Sequence, residues 1–597
     1  MKRITYNHKK RSWGLAGLMG LMGLSLTSCS DFLVIDPLNE IVMEQFWNEK
    51  ADVDGIVAGC YSAMQNEGVI RRMMVWGEFR SDNVGLGQNT SKDNDLLSIL
   101  NENITSKNGY TTWVDFYNVI NRCNTVIKYA PGVAATDPAY TQSELQAHIA
   151  EVSALRDLCY FYLIRAFRDV PYTTEAYTDD DQVMDLPATK FDVVLDSLIN
   201  DLESVKGMAV KRYPTTKPLY QMGRITQDAI YAMLCEMYLW KKDYQNCIKY
   251  ADLVIESKKA ITEENRRSGN SGYGQGSNTL ERFNGFPLVS ESRPGSSSGS
   301  YGDAYRTLFG SDSNPEEAVQ EIIFSLIFDD NLSGNGMIAN GAVNTFYGND
   351  ETPIGFVAPS EYLLEDIEKA SGRNVFADRN KKLDARMYEA CNIDNTSVAK
   401  YVVTSVSINV SNSATNPTPS WSGYYGKDRH GSNWIIYRLT DIMLLKAEAL
   451  AQTLREGTDQ ETLDYNTPIL DEAFTLVNAI NKRAVCQTTL IDTLVAGDYG
   501  TKAQMETLVM QERQRELLFE GKRWFDLVRK AQRDGNTSQI TAAAIAKATT
   551  NAAQVQNKLT KMDAIYWPYN YDELKVNKNL VQNPAFSSGE SSYESTY

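Results

Sequence analysis

Histidine is nearly absent from this chain: its 597 residues hold three, His8, His148 and His430. A metal centre built on imidazoles is excluded by that scarcity, because zinc-type sites need several soft ligands at fixed spacings. No CxxC occurs either, which removes the thiolate equivalent and the dithiol redox motif. The chain also lacks GxxxxGK(S/T), so the common phosphate cradle is missing. Positive charge is in deficit, with 59 Lys and Arg against 76 Asp and Glu and a formal net charge of −17. Residues 1–28 hold five of those bases (Lys2, Arg3, Lys9, Lys10, Arg11) and no acid. Without them 54 bases face 76 acids, a net −22. Phosphate backbones would repel such a protein, so nucleic acid is excluded as a partner.

Long apolar runs are lacking too. The most apolar stretch, Trp13 to about Leu26, follows a basic segment and has the length of a signal-peptide core rather than of a membrane span. It ends in Leu26-Thr27-Ser28-Cys29, the pattern of a bacterial lipoprotein signal. The expectation is that residues 1–28 are removed and Cys29 is acylated, tethering an exported protein to a membrane. Seven further cysteines (60, 123, 159, 235, 247, 391, 486) cannot all pair within one chain, and several fall on apolar helical patterns. They read as buried thiols with no disulfide framework.

Catalytic constellations are equally thin. The DDNLSG run from Asp329 begins like a calcium loop, but its twelfth position is Asn340 rather than Glu. The glycines of GYGQGS, 272–277, lack the strand and helix a phosphate loop requires. TDDDQ, 178–182, reads as a solvated acidic loop, and nothing marks a pair of catalytic carboxylates. No enzyme activity, metal or cofactor is expected.

What is present is helix. Apolar periodicity predicts helices over roughly 44–66, 113–130, 143–168, 190–206, 223–240, 244–257, 435–454, 468–485 and 502–530. In 228–257, Tyr231, Leu234, Cys235 and Tyr238 stripe one helix, and small Cys247 and Ala251 with Val254 stripe a second after a tight turn at Lys242-Asp243. Those spacings match a tetratricopeptide helix pair. Tyr437–Gln452 with 468–485 reads as another pair, and Glu151–Tyr172 as part of a third. The fold class is therefore mostly α, with tetratricopeptide-type helix pairs as scaffold and a loop-rich irregular face carrying a few short strands.

Between 262 and 434 the pattern changes to Gly- and Ser-rich loops, one clear strand at Glu321–Phe328, and an irregular stretch over 405–426. Loops this long are usually functional. They carry Tyr273, Phe283, Phe286, Tyr301, Tyr305, Phe346, Tyr347, Trp421, Tyr424 and Tyr425. A sugar ring stacks its C–H face on such rings. Each ring could equally fold down to anchor its loop, and both uses are expected within the group.

The stretch QERQRELLFEGKRWFDLVRKAQR, 511–533, mixes acids, bases and apolar residues. Glu512 with Arg515, Arg513 with Glu516, and Glu520 with Arg523 stand three apart and can pair along a helix, which reads as scaffold rather than as a basic patch. Gly521 permits a close approach or ends a helical turn.

These motifs, in order, resemble the SusD/RagB family of surface lipoproteins. The resemblance rests on CSDFLVIDP (29–37), WGEFRSDN (76–83), WVDFYNVINRCNTVI (113–127), EVSALRDLCYFYLIRAFRDVPY (151–172) and GRITQDAIYAMLCEMYL (223–239). It continues through YRLTDIMLLKAEAL (437–450), QERQRELLFEGKRWFDLVR (511–529), AIYWPYNYDEL (564–574) and NLVQNPAF (579–586). Departures are Arg168 where the family commonly has Gly, Leu439-Thr440 where it has Tyr-Ala, and few acids after Cys29.

The resemblance implies one domain over 29–597, with parts at about 29–330 and 331–597 packed together. It further implies a non-catalytic lid on a SusC-like TonB-dependent transporter of the outer membrane, displayed at the cell surface and capturing a glycan for import. A peptide is the alternative cargo, favoured by an acidic groove with fewer stacking rings. In this family the binding face is built by the loop after RSDN and by the central insertions. Ligand contacts are accordingly expected at Asp82, Asn83, Gln88, Asn89, Tyr301, Tyr347, Trp421 and Tyr424.

Overall fold

The computed structural model describes residues 46–597 apart from 180, 268–282, 292–299, 311–314, 330–338, 365–375, 377–383, 411–416, 487–493, 548–550 and 588–597. Cys29, Tyr273, the GYGQGS loop and the DDNLSG run beyond Asp329 lie outside the described residues. Met1–Phe46 is one unit, and Trp47–Tyr597 is a second that contains everything below.

Helices dominate. In chain order the principal ones are α1 Lys50–Met64, α2 Glu67–Met74, α3 Val114–Thr136, α4 Gln142–Phe167, α5 Phe191–Val205, α6 Gln227–Trp240 and α7 Tyr244–Arg267. They continue as α8 Ala385–Ala390, α9 Leu439–Thr453, α10 Gln460–Ala484, α11 Lys502–Glu516 and α12 Arg523–Asp534. Neighbours in sequence pack as pairs, α3 on α4, α6 on α7 and α9 on α10, and α7 packs on α9 to join the pairs into one stack. Small side chains permit the close crossing of α6 and α7, where Cys235 and Cys247 bring their sulfurs to 3.7 Å. Every described cysteine is a buried free thiol. Capping boxes start three of the helices, Glu49 with Asp52 at α1, Thr141 with Glu144 at α4 and Thr501 with Gln504 at α11. From Ala150 to Phe167 α4 is buried on all sides, as expected of a helix in the middle of a stack. It ends at Arg168 with φ 70°, a conformation glycine adopts without strain.

Short strands line the other face: β1 Val84–Leu86, β2 Ser300–Tyr301, β3 Ile322–Leu326, β4 Val357–Pro359, β5 Cys391–Asn392, β6 Ser397–Val398, β7 Val403–Asn409, β8 Thr418–Tyr424 and β9 Trp434–Arg438. β1 pairs with β4, β3 with β9, and β5 with β6, while β8–β7–β2 form a three-stranded antiparallel sheet.

Three sequence expectations change. The stretch over 405–426 contains most of an ordered hairpin, β7 and β8, of which Val403, Val406 and Ile408 are buried. Residues 435–438 belong to strand β9 rather than to the helix that follows, because β3 supplies a partner for their backbone. The helix expected over 502–530 breaks at 517–522, where Phe519 and Gly521 take φ of 65° and 71°. The break has a tertiary cause, since Gly77 abuts the Gly521 carbonyl so closely that a Cβ on residue 77 would stand 1.9 Å from that oxygen.

Candidate functional site

The 511–533 stretch lies in the middle of the molecule. Of its expected pairs along the helix, Glu512 with Arg515 forms, at 2.7 Å. The others are replaced by longer-range partners: Arg513 meets Asp441 and Asp526, Glu516 meets Arg386, Arg438 and Arg483, and Glu520 meets Arg438 and Lys400. All these groups are buried. Burial alone would push the Glu516 carboxyl up, but the guanidiniums of Arg483, Arg438 and Arg386 outweigh it and hold the group well below its ordinary range. Such a network fixes partners across the fold, because an ion left single in the interior is heavily penalised.

Asp82 and Asn83 belong to this frame. Arg523 clasps Asp82 with two bonds, Nε to Oδ1 at 2.9 Å and Nη2 to Oδ2 at 3.0 Å. Asn83 donates to Glu78 Oε1 at 2.7 Å and accepts from Gln514 at 2.8 Å. Glu78 in turn accepts the backbone N–H groups of Phe519, Lys522 and Arg523, and so caps the break between α11 and α12. Arg80 pairs with Glu102, donates to the carbonyls of Ala564 and Ile565, and lies 4.2 Å over the Trp524 ring. Three sequence motifs, 76–83, 511–529 and 564–574, thus meet at one buried junction. Asp82 and Asn83, expected at the ligand, are 4% and 0% exposed and bonded internally, so the structure places them in the scaffold.

The loop aromatics divide in the same way. Tyr347 is fully buried and donates to the Phe519 carbonyl at 3.0 Å. Tyr301 is buried on β2, and Phe283, Phe286, Tyr305, Phe346 and Tyr425 are buried as well. These rings anchor their loops, because bringing a large apolar ring out of water stabilises the fold more than its exposure would. Tyr301 and Tyr347 therefore leave the set of exposed platforms.

Trp421 and Tyr424 remain half-buried on β8, the outer strand of its sheet among the described residues. The indole N–H of Trp421 donates to the Tyr388 carbonyl at 2.7 Å. The Tyr424 hydroxyl accepts from Asn392 Nδ2 at 3.5 Å. Both rings are held at their polar tips by one segment, Tyr388–Asn392, which runs from α8 into β5. Between them Gly423 takes φ 66° and passes so close to Thr404 that a Cβ would stand 2.1 Å from its hydroxyl oxygen. Two half-buried rings held in this way have little freedom left to lose.

Gln88 is exposed and Asn89 half-buried in the turn after β1. That turn is seated on 355–356: Asn89 N–H donates to the Gly355 carbonyl, and Thr90 Oγ1 is within bonding distance of the Phe356 carbonyl. The same segment reaches the end of β8, where Asp350 N–H donates to the Tyr425 carbonyl at 3.0 Å. Residues 347–356 thus link the Gln88–Asn89 turn to the aromatic strand. Tyr388 and Asn392, which orient the rings, escaped sequence reading because nothing in YEACN, 388–392, marks them as ring tethers. Among the described residues no cluster of His, Cys, Asp and Glu could hold a metal ion, and no helix is long and apolar enough to cross a membrane.

Two family models match the chain. One is described as the SusD family and covers residues 320–586, and the other as starch-binding associating with outer membrane and covers 31–239. SusD-like protein P38 of Formosa agariphila is 26% identical over 580 residues, spanning 94% of this chain and 96% of that protein. SusD-like protein P25 of the same organism is 24% identical over 536 residues, with 85% and 87% covered. Among solved structures, a SusD homolog from Bacteroides thetaiotaomicron superposes with a TM-score of 0.61 at 15% identity, covering 91% of this chain and 99% of that one. A laminarin-binding SusD-like protein superposes with a TM-score of 0.54 at 18% identity, covering 90% and 99%.

Proposed function

The chain belongs to the SusD/RagB family, and from that premise we propose that it is a non-catalytic glycan-binding lipoprotein of the outer membrane. It captures an oligosaccharide or polysaccharide at the cell surface, anchored through Cys29, and serves as the lid of a SusC-like TonB-dependent transporter. The observation that carries this reading is the pair Trp421 and Tyr424, held half-buried on an outer strand by bonds to their polar atoms. The Gln88–Asn89 turn supplies amides on the far side of the 347–356 segment. A lid must release its cargo, so affinities in the micromolar to millimolar range, about −8 to −4 kcal/mol, suit the role. Proximity to the transporter mouth then raises the effective concentration without tighter contacts.

The test is calorimetric titration of the mature protein with laminarin and with soluble starch. Trp421→Ala is expected to weaken binding by about 5–30-fold, equivalent to about 1–2 kcal/mol for one aromatic anchor, in a protein that remains folded at the temperature of the titration. Equal affinity of wild type and Trp421→Ala for a glycan that binds would remove Trp421 from the site. Failure of all glycans, with binding of extended peptides, would replace the cargo while leaving the lid.

A further inference from the structure

One pair of buried acids stands outside the ion-pair network around Glu516. Among the described residues that network joins five acids, Asp384, Glu321, Glu512, Glu516 and Glu520, to five bases, Arg386, Lys400, Arg438, Arg483 and Arg515. Among those residues it is balanced without Glu291 and Glu389, which are 2% and 7% exposed. Both line a cavity of about 20 Å³, room for about one water, together with Arg386, Lys400, Arg438 and Arg483. Glu291 Oε2, Glu389 Oε1 and Arg483 Nε are buried there without a hydrogen-bond partner among the described residues. Two unmatched anions lining one small buried cavity would be strongly disfavoured, and a proton held by the pair relieves that cost.

We propose that Glu291 and Glu389 act as a single protonated acid pair that positions Trp421, so that ligand capture depends on the proton they share. The role assigned to Trp421 rests on the glycan-platform reading above. The path is short. Glu389 follows Tyr388, whose carbonyl receives the Trp421 indole N–H. The Glu291 carbonyl receives the N–H groups of Gly302 and Asp303, next to β2. β2 pairs with β7, and β7 pairs with β8, which carries Trp421. The acid pair therefore clasps α8 to the far edge of the sheet that displays the platform.

The surrounding charges agree. Burial pushes both carboxyls up, and Glu516 adds to this, while Arg483 opposes it at both groups and Lys400 opposes it at Glu389. Cys486 also faces the pair, along with Asp384, and its buried thiol is pushed well up. When the pair loses its proton the two carboxylates repel, and the clasp between α8 and β2 opens.

The experiment uses the mature full-length chain carrying 5-fluorotryptophan, with the Trp421 fluorine resonance assigned by Trp421→Phe. In wild type this resonance is expected to shift as the pH is raised and the pair loses its proton. In Glu291→Gln it should not shift, because the amide N–H replaces the shared proton in the bond to Glu389. Infrared difference spectra against Glu291→Gln should show a protonated carboxyl in wild type at pH 7. Affinity for laminarin or starch should fall about tenfold per pH unit above the transition in wild type and stay flat in the variant.

No protonated carboxyl at pH 7, or the same Trp421 titration in both proteins, overturns the proposal. If Glu291→Gln does not fold, Glu389→Gln serves as the infrared and fluorine reference with the same two criteria. Absence of glycan binding at every pH refutes the glycan reading alone, since the fluorine and infrared signals still decide whether the pair positions Trp421.

Discussion

Arg438→Met removes the guanidinium at the centre of the buried network while keeping a side chain of similar length. Arg438 donates to Glu520 through Nε at 2.9 Å and Nη2 at 2.7 Å, to Glu516 at 2.5 Å, and to the Glu516 carbonyl at 2.7 Å. It also lies 3.3 Å from Glu321. The loss falls unequally. Glu321 keeps Arg483, and Glu516 keeps Arg386 and Arg483, whereas Glu520 retains only Lys400 among the described residues. Removing one partner of a buried pair costs about 3–5 kcal/mol. About 550 residues in the unit Trp47–Tyr597 carry an unfolding entropy near 1.2 kcal/mol/K, at roughly 2.1 cal/mol/K each. The melting temperature should therefore fall by about 3–4 °C, read by scanning calorimetry at pH 7. Arg438→Met/Glu520→Gln should recover at least half of that loss, because the stranded carboxylate is neutralised. A single variant melting within about 1 °C of wild type, with no gain in the double variant, would refute the claim that this network holds the fold.

Other outcomes follow from the same packing. Gly77→Ala should cost about 3 kcal/mol or more, since its Cβ would meet the Gly521 carbonyl at 1.9 Å, and calorimetry against wild type checks this. Asp82→Asn should lower the melting temperature by a few degrees while leaving the glycan Kd of the folded protein unchanged, which separates scaffold from site. For Glu448, burial pushes the carboxyl up, but Arg529 and Arg533 outweigh it and hold the group at about 2, below its ordinary 4.5. A depressed acid contributes stability that is present above the unfolded value and is lost as pH falls. Wild type should therefore exceed Glu448→Gln by about 3 kcal/mol at pH 7, and the gap should close between pH 4.5 and 2 in a melting-temperature series.

Helices were legible because their signal is local. The stripe of Tyr231, Leu234, Cys235 and Tyr238 repeats within two turns, and capping by Thr141 or Thr501 involves residues three apart. The hairpin over 403–424 was less so. Its alternation is short, and its register depends on Gly423 passing against Thr404 and on pairing with β2 a hundred residues earlier. The break at 517–522 needed Gly77 and Glu78, more than 400 residues away, to become visible.

The sequence by itself determined the class of the protein: helix pairs as scaffold, an acidic chain, the nine motifs of one family, and no zinc-type ligand set. These follow from periodicity, composition and spacing, which every segment carries within itself. Only the tertiary structure decided which loop aromatics are buried anchors and which stay half-exposed. Tyr347 and Tyr424 are the same residue type in similar loops, yet one lies under Phe519 in the core and the other is half-exposed beside Asn392. It also decided that charges three apart in 511–533 pair mostly with distant partners. Burial is a property of what packs on a residue from elsewhere in the chain, and buried ions must be matched by whatever that packing brings within reach.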